Sequence, residues 1–270
     1  MLNDPADIAV LCDKRRCHAA LSAVGVPVPE ALPPVRSYAQ LRAEMAAAGW
    51  SRVFVKPAHG SSAAGVLALA VTRSRVRAVT TIETTPDGMF NSLRLRDYAD
   101  EAEVAAIVDR LAPDGLHVER WLPKAGLGDR VVDLRVVVVA GRPTHAVVRA
   151  ARGPLTNLHL GNARGDLAAL RAAAGPEAWS AAMETCVRAA ACFPRSLHVG
   201  VDLMFLLGWR RHAVAEVNAF GDLLPGVLAD GRDTYAEQVH ALTSGRWDRW
   251  RAEVAPAGTS AGRVALACGT

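Results

Sequence analysis

The sequence predicts an α+β chain built from antiparallel hairpins and separate helices. Three observations carry this. In Val199–Phe205, Val201, Leu203 and Phe205 alternate with Gly200, Asp202 and Met204, and Ala213–Asn218 repeats the two-residue period after a turn near Gly208. A second pair of apolar runs, Val131–Ala140 and Thr144–Ala151, flanks Gly141-Arg142-Pro143. Elsewhere lie helical segments with a capping side chain at their start, Ser37 for Ser37–Ala48 and Asp100 for Glu101–Leu111.

In chain order, Pro5–Val24 reads as one helix with Ile8, Leu11, Ala19 and Leu21 as its apolar positions, ended by Gly25. Gly25–Val35 is proline-rich and extended. Arg52–Pro57 is a strand. It enters a loop of small residues, Ala58–Gly65, before a second strand, VLALAV. Ala78–Glu83 is a short strand, Thr84–Arg96 is irregular, Leu116–Leu122 is a strand and Lys124–Arg130 a loop. Arg152–Asp166 is too long and polar for a simple connection and reads as a binding loop. Pro176–Cys192 and Asp233–Leu242 are helices, and the tail from Ser244 is loosely ordered.

Composition narrows the function. At 51% hydrophobic and 21% charged residues, the chain is globular rather than disordered. No apolar run is long enough to span a bilayer, and the opening MLNDPADIAV is no signal peptide, so no membrane partner is expected. The five cysteines (Cys12, Cys17, Cys186, Cys192 and Cys268) contain no CxxC pair, which fits reduced thiols in a cytoplasmic protein. The net charge is +4 and no basic run is interleaved with aromatics, so nucleic acid is not an expected partner. Of 31 basic residues only Lys14, Lys56 and Lys124 are lysines. In an arginine-rich chain a lysine marks a place for a compact ammonium, although for Lys124 chance retention suffices.

The chemistry concentrates at the first hairpin. A turn centred on Trp209 sets Asp202 opposite Glu216 and Gly200 opposite Asn218 on one face. Val201–Val217, Leu203–Ala215 and Phe205–Ala213 then pair on the other. Directly opposed carboxylates repel unless a cation lies between them, and two carboxylates with an amide suit Mg²⁺. A solvated polar hairpin face is the plain alternative. The Ala58–Gly65 loop, with Lys56 just before it, can lay amides and Ser hydroxyls along phosphate oxygens, although it is no P-loop. A three-residue loop in the second hairpin would set Arg135 opposite Arg149, with an anion between them; a two-residue loop would offset the pair by one. His59, His145 and His159 read as surface or core histidines rather than a catalytic base.

In order, DK, FVKPAHGSSAAGV, VERWL, DLRVVVV, TNLHLGN, VGVDL and AEVNAFGDLLPG resemble the ATP-grasp superfamily, most closely RimK-type and D-alanine–D-alanine-ligase-like carboxylate–amine ligases. The resemblance implies an ATP-grasp fold of two α/β subdomains whose antiparallel sheets sandwich ATP. It divides the chain into a helix and linker (1–35), a lid with the loop (36–118), a metal-bearing subdomain (119–245) and a tail (246–270). For ATP it implies Lys14, Lys56, Ser61 and Ser62 at the phosphates, Glu119 and the backbone of Arg120 and Leu122 at the adenine, and Asp133 at the ribose. Arg135 and Arg149 are implied near the transferred phosphate or the acyl group, and Asn157 and Gly161 on the substrate side. Mg²⁺ is implied on Asp202, Glu216 and Asn218. The implied reaction is ADP-forming amide or peptide bond formation between small-molecule or peptide carboxylates and amines. The alternatives are a phosphotransferase or a non-catalytic ATP-binding module. Many members self-associate, so a homodimer is compatible with the resemblance, which leaves the oligomeric state open. Members usually carry a domain ahead of the DK helix, and Met1 lies almost on it, so the expectation is either a shortened sequence or a natural short form that borrows a substrate-side surface from elsewhere. Ala63-Ala64 stands where a glycine is common, which stiffens the loop.

Overall fold

A computed structural model describes residues 2–220 and 224–254. Cys268, the end of the tail and the GDL of AEVNAFGDLLPG lie outside the described residues. The chain opens with α1 (Pro5–Leu11) and α2 (Lys14–Ala23), two helices where one is expected. Asp13 explains the break: in extended conformation, it accepts from the amides of Arg15 and Arg16 and starts a new helix. Next come α3 (Tyr38–Ala47), β1 (Arg52–Pro57), β2 (Leu67–Val71), β3 (Val76–Thr85), β4 (Gly88–Tyr98), α4 (Glu101–Leu111) and β5 (Leu116–Arg120). Ser37 caps α3 through Gln40 N, and Asp100 caps α4 through Ala102 N and Glu103 N, as expected.

These strands form an antiparallel sheet in the order β4-β3-β2-β1-β5. Leu41, Met45, Val104 and Ile107 from the two helices pack against Val53, Val55, Leu67 and Leu69. The irregular segment expected at Thr84–Arg96 is instead the edge strand β4. Phe90, Leu93 and Leu95 there are exposed, so neither face shows the burial period on which a sequence reading depends.

The second sheet begins with β6 (Gly126–Leu127), β7 (Arg130–Val139), β8 (Arg142–Ala151) and β9 (Ala163–Gly165). After α5 (Leu167–Ala191) it is completed by β10 (His198–Phe205) and β11 (His212–Asn218), in the order β11-β10-β7-β8-β9 with β6 on β7. Leu11 and Leu21 from the first two helices, and Cys186 and Ala189 from α5, cover Val132, Leu134, Val201 and Leu203. The N-terminal helices thus share this sheet's core. A helix begins at Pro176 as expected; a separate helical segment from Leu167 precedes it, and the backbone leaves helical geometry between the two at Gly175 (φ 75°, ψ 163°).

α6 (Thr234–Thr243) and α7 (Arg246–Val254) close the described chain. The latter corrects the expected loose tail over residues 246–254. Trp250 lies against Gly141, which has φ +72° in the β7–β8 turn and whose missing side chain makes room for the indole. Among the described residues, no helix is long and apolar enough to cross a membrane.

Candidate functional site

The two sheets face each other across a cleft holding about 820 Å³ of empty space. Lys14, Lys56, Ser61, Ser62, Glu119, Asp133, Arg135, Arg149, Asn157, Asp202, Glu216 and Asn218 all line it. Residues spread over two hundred positions therefore meet in one place.

Its floor is the hairpin of β10 and β11. Asp202 pairs with Glu216 and Gly200 with Asn218, as the alternation predicts. The inner pairs differ: Leu203 faces Val214 and Phe205 faces His212, because a bulge follows Asp202. The bulge seats Val214 in the core, while Ala215 lines the cleft with its carbonyl 3.4 Å from Lys56 Nζ.

Arg135 and Arg149 are not opposed. The β7–β8 turn takes two residues and a bulge follows at Val137/Val138, so Arg149 faces Asp133 and Arg135 faces Val147. The anion between the two guanidinium groups belongs to the chain itself. Asp202 accepts from Arg135 Nη2 at 3.3 Å and from Arg149 Nη1 at 3.1 Å, and Arg135 Nε adds a short contact. The Arg135 side chain passes Gly200 at van der Waals distance. Burial opposes ionisation of Asp202, but the two guanidinium groups outweigh it and hold the carboxyl below its usual range.

Asp133 is the second anchor. Its Oδ1 accepts from Arg149 Nε at 2.7 Å, and its Oδ2 accepts from Lys124 Nζ at 2.8 Å and from the Thr156 hydroxyl. Burial is again outweighed by Arg149 and Lys124, and the carboxyl stays ionised. Lys124 is therefore no surface lysine: it sits in the cleft between Asp133 and Thr156, 2.8 Å from the Thr156 hydroxyl. The signal in the sequence is its rarity, as the third lysine of three, nine residues before Asp133.

The other two lysines come from different bodies, Lys14 from α2 beside β11 and Lys56 from β1 of the other sheet. Lys14, the first residue of α2, donates to Glu216 Oε1 at 2.8 Å and to the carbonyl of Gly60 at 2.9 Å. Lys56 pairs with buried Glu119, which also lies 3.3 Å from His117 Nε2. Burial works against the charge on Glu119, yet Lys56 and His117 hold it at about 2. The loop between these lysines is pinned at its foot, where Gly65 N donates to Thr81 Oγ1 at 3.1 Å. At its tip Ser62 and Ala63 have φ of 55° and 61°, a left-handed region that non-glycine residues enter at a cost.

Three expected site residues do not line the cleft. The Arg120 amide donates to the carbonyl of Glu30 and its guanidinium pairs with the Glu30 carboxylate, while Leu122 packs against Met204 and Leu206. Gly161 closes the turn after Asn157, with φ 76° and its amide on the carbonyl of Leu158.

The donor set fits a hard divalent ion. Among the described residues no three His, Cys, Asp or Glu side chains form a metal cluster, so Asp202 and Glu216 need the amide oxygen of Asn218. Asn218 Nδ2 donates to the carbonyl of Gly200 at 3.4 Å, which leaves Oδ1 as its acceptor. Oxygen donors of this kind suit Mg²⁺.

No family model matches the chain, and no curated protein matches it in sequence. Solved structures do resemble it. The ATP-grasp ligase PsnB, complexed with minimal precursor, Mg and ADP, is 18% identical over 92% of this chain and 62% of that chain, with TM-score 0.50. D-cycloserine synthetase DcsG is 16% identical over 90% and 71%, with TM-score 0.56. D-alanine–D-alanine ligase from Bacillus anthracis, complexed with ATP, is 13% identical over 93% and 68%, with TM-score 0.51. The chain thus spans less than two thirds of the first of these structures. At such identities the likeness is one of architecture, and two antiparallel sheets closing on a cleft lined by lysines and carboxylates are that architecture: the chain has the ATP-grasp fold.

Proposed function

We propose that the chain is an ATP- and Mg²⁺-dependent ligase that joins a carboxylate to an amine through an acyl phosphate. The observation that carries this reading is the convergence of five cations and four carboxylates on one cleft between the sheets. Residues 36–118 act as the lid, residues 119–245 as the base carrying the metal site, and residues 1–35 and 246–270 flank them. The similar structures bound to ADP with Mg, or to ATP, support the choice of nucleotide.

Lys14 and Lys56 hold the nucleotide phosphates, and Ser61 and Ser62 cover them from the loop. Glu119 holds the Lys56 ammonium for the phosphates, whereas Arg120 and Leu122, engaged with Glu30 and with Met204 and Leu206, are not assigned to the nucleotide. Asp133, with all its contacts made to Lys124, Arg149 and Thr156, aligns those side chains toward the ribose and phosphate. Asp202, Glu216 and Asn218 would hold Mg²⁺, which would supply charge neutralisation at the phosphate oxygens.

The substrate carboxylate oxygen attacks the γ-phosphorus, the bond to the ADP oxygen breaks, and an acyl phosphate forms. An amine then adds to the acyl carbon, phosphate leaves, and the amine proton passes to solvent or phosphate. Arg135 and Arg149, immobilised by Asp202, stabilise the acyl phosphate and the oxyanion of the addition step. The turn from Asn157 to Gly161 borders the substrate, and closure of the loop keeps water from the acyl phosphate.

The test is isotopic. With a competent carboxylate and amine, ¹⁸O from labelled carboxylate is expected in the released phosphate. ADP release with all label retained and a phosphorylated product would replace the ligase with a phosphotransferase. ATP binding without substrate-stimulated ADP release would leave a nucleotide-binding module.

A further inference from the structure

A small, mostly apolar space is bordered by Lys14, His18, Lys56, His117, Glu119 and Glu216. His117 is 6% exposed and has no part in the chemistry above. Its place follows from strand geometry. On β5, Leu116 and Val118 point into the core beneath the lid sheet, so His117 and Glu119 share the opposite face. In the β1–β5 register Lys56 lies directly across from His117, and Phe54 lies across from Glu119. Glu119 therefore reaches Lys56 diagonally. One carboxylate oxygen takes the ammonium, and the other faces His117 Nε2 at 3.3 Å. The His18 ring lies 5.0 Å from that of His117, and His18 Nε2 is 2.8 Å from the carbonyl of Pro29.

Lysine alone cannot keep this geometry. Its ammonium sits on a flexible stem and makes no planar fork. A carboxylate gripped on one oxygen alone can rotate and draw the ammonium with it. Burial disfavours the charged form of His117, and its Nε2 stands 3.3 Å from the second Glu119 oxygen, where the ring limits rotation of the carboxylate.

We propose that His117 is a positioning residue: it fixes the rotamer of Glu119, and Glu119 in turn aims the Lys56 ammonium at the nucleotide phosphates. The proposal rests on Lys56 being the phosphate ligand assigned above. Partners of this kind, one step removed from the ligand, typically cost about 10- to 100-fold in affinity or activity when removed at metal sites, and a similar scale is expected here.

The experiment measures ATP affinity in the full chain by calorimetry for H117L, H117Q, K56M and K56M/H117L, with thermal melts without nucleotide for each. H117L is expected to weaken ATP about tenfold. H117Q, whose amide nitrogen replaces Nε2, is expected to restore affinity to within about twofold of the original chain. Adding H117L to K56M is expected to change nothing further, because the histidine acts only through the lysine. If H117L does not fold, H117N, which keeps an amide but withdraws the donor, replaces it in the series. Equal affinity of H117L and the original chain, or an equal loss from H117L in both backgrounds, would overturn the proposal. Failure of the original chain to bind ATP would instead remove the nucleotide site, and this inference with it.

Discussion

Lys14, the first residue of α2, reaches Glu216 on β11, with Nζ 2.8 Å from Oε1. The same ammonium holds the carbonyl of Gly60 in the small-residue loop. One side chain thus joins the N-terminal helices, the small-residue loop and the strand that faces Asp202. A divalent ion carried by a nucleotide would compete with it for Glu216.

Glu216→Ala is expected to abolish turnover and the Mg²⁺-dependent part of nucleotide binding while the fold persists. The lost ion pair itself contributes no more than about 1 kcal/mol, since Glu216 is partly exposed. Calorimetry of ATP binding with and without Mg²⁺, beside a thermal melt, checks this. Retained Mg²⁺-dependent binding would remove the residue from the metal site.

Arg149→Met should be among the most destabilising changes in the cleft. It leaves Asp133 and Asp202 buried beside one another with fewer compensating charges, a loss of about 3–5 kcal/mol. Urea unfolding measures it. Arg149→Met combined with Asp133→Asn should cost less than the sum of the two single changes, because the pair is coupled.

Acid stability should depend on Glu119. Its carboxyl is held at about 2 in the folded chain, against 4.5 for the free group. A folded value below the unfolded one means that the unfolded chain takes up the proton first as pH falls. The stabilisation is fully present above about 4.5 and is lost as pH drops toward 2, on the order of 3 kcal/mol in all. Urea midpoints of the original chain and Glu119→Gln between pH 6 and pH 2 provide the comparison. The variant should show the shallower decline.

The loop tip offers a test independent of catalysis. Ala63 has φ 61°, which a β-branched residue tolerates poorly. Ala63→Val is expected to destabilise by about 1–2 kcal/mol. Ala63→Gly should stay within about 1 kcal/mol of the original, as relief of strain is offset by the greater freedom of the unfolded chain. Thermal melts of both variants read the difference.

Much of the cleft was legible before any coordinates. Alternation on either side of a turn suffices to oppose Asp202 and Glu216, because side-chain period and turn position fix which residues share a face. The capping roles of Ser37 and Asp100 follow from local hydrogen bonding and are equally visible in the chain. The bulges were not. An extra residue in β11 changed the inner partners of β10, and a shift in the β7–β8 ladder put Asp133, not Arg135, opposite Arg149. A bulge depends on what the neighbouring strands and helices must accommodate, and short-range pattern carries no record of that.

The sequence by itself determined the two hairpins at the cleft, the capped starts of α3 and α4, and the placing of Lys14 and Lys56 among the residues that carry chemistry. Tertiary structure decided the company each charge keeps. Lys124 joins Asp133 and Thr156, and the two arginines share Asp202, while Lys56 shares Glu119 with His117. Local periodicity arises from backbone geometry over a few residues. Ion-pair partners are chosen by burial, which joins segments far apart in the chain and makes an uncompensated charge too costly to leave.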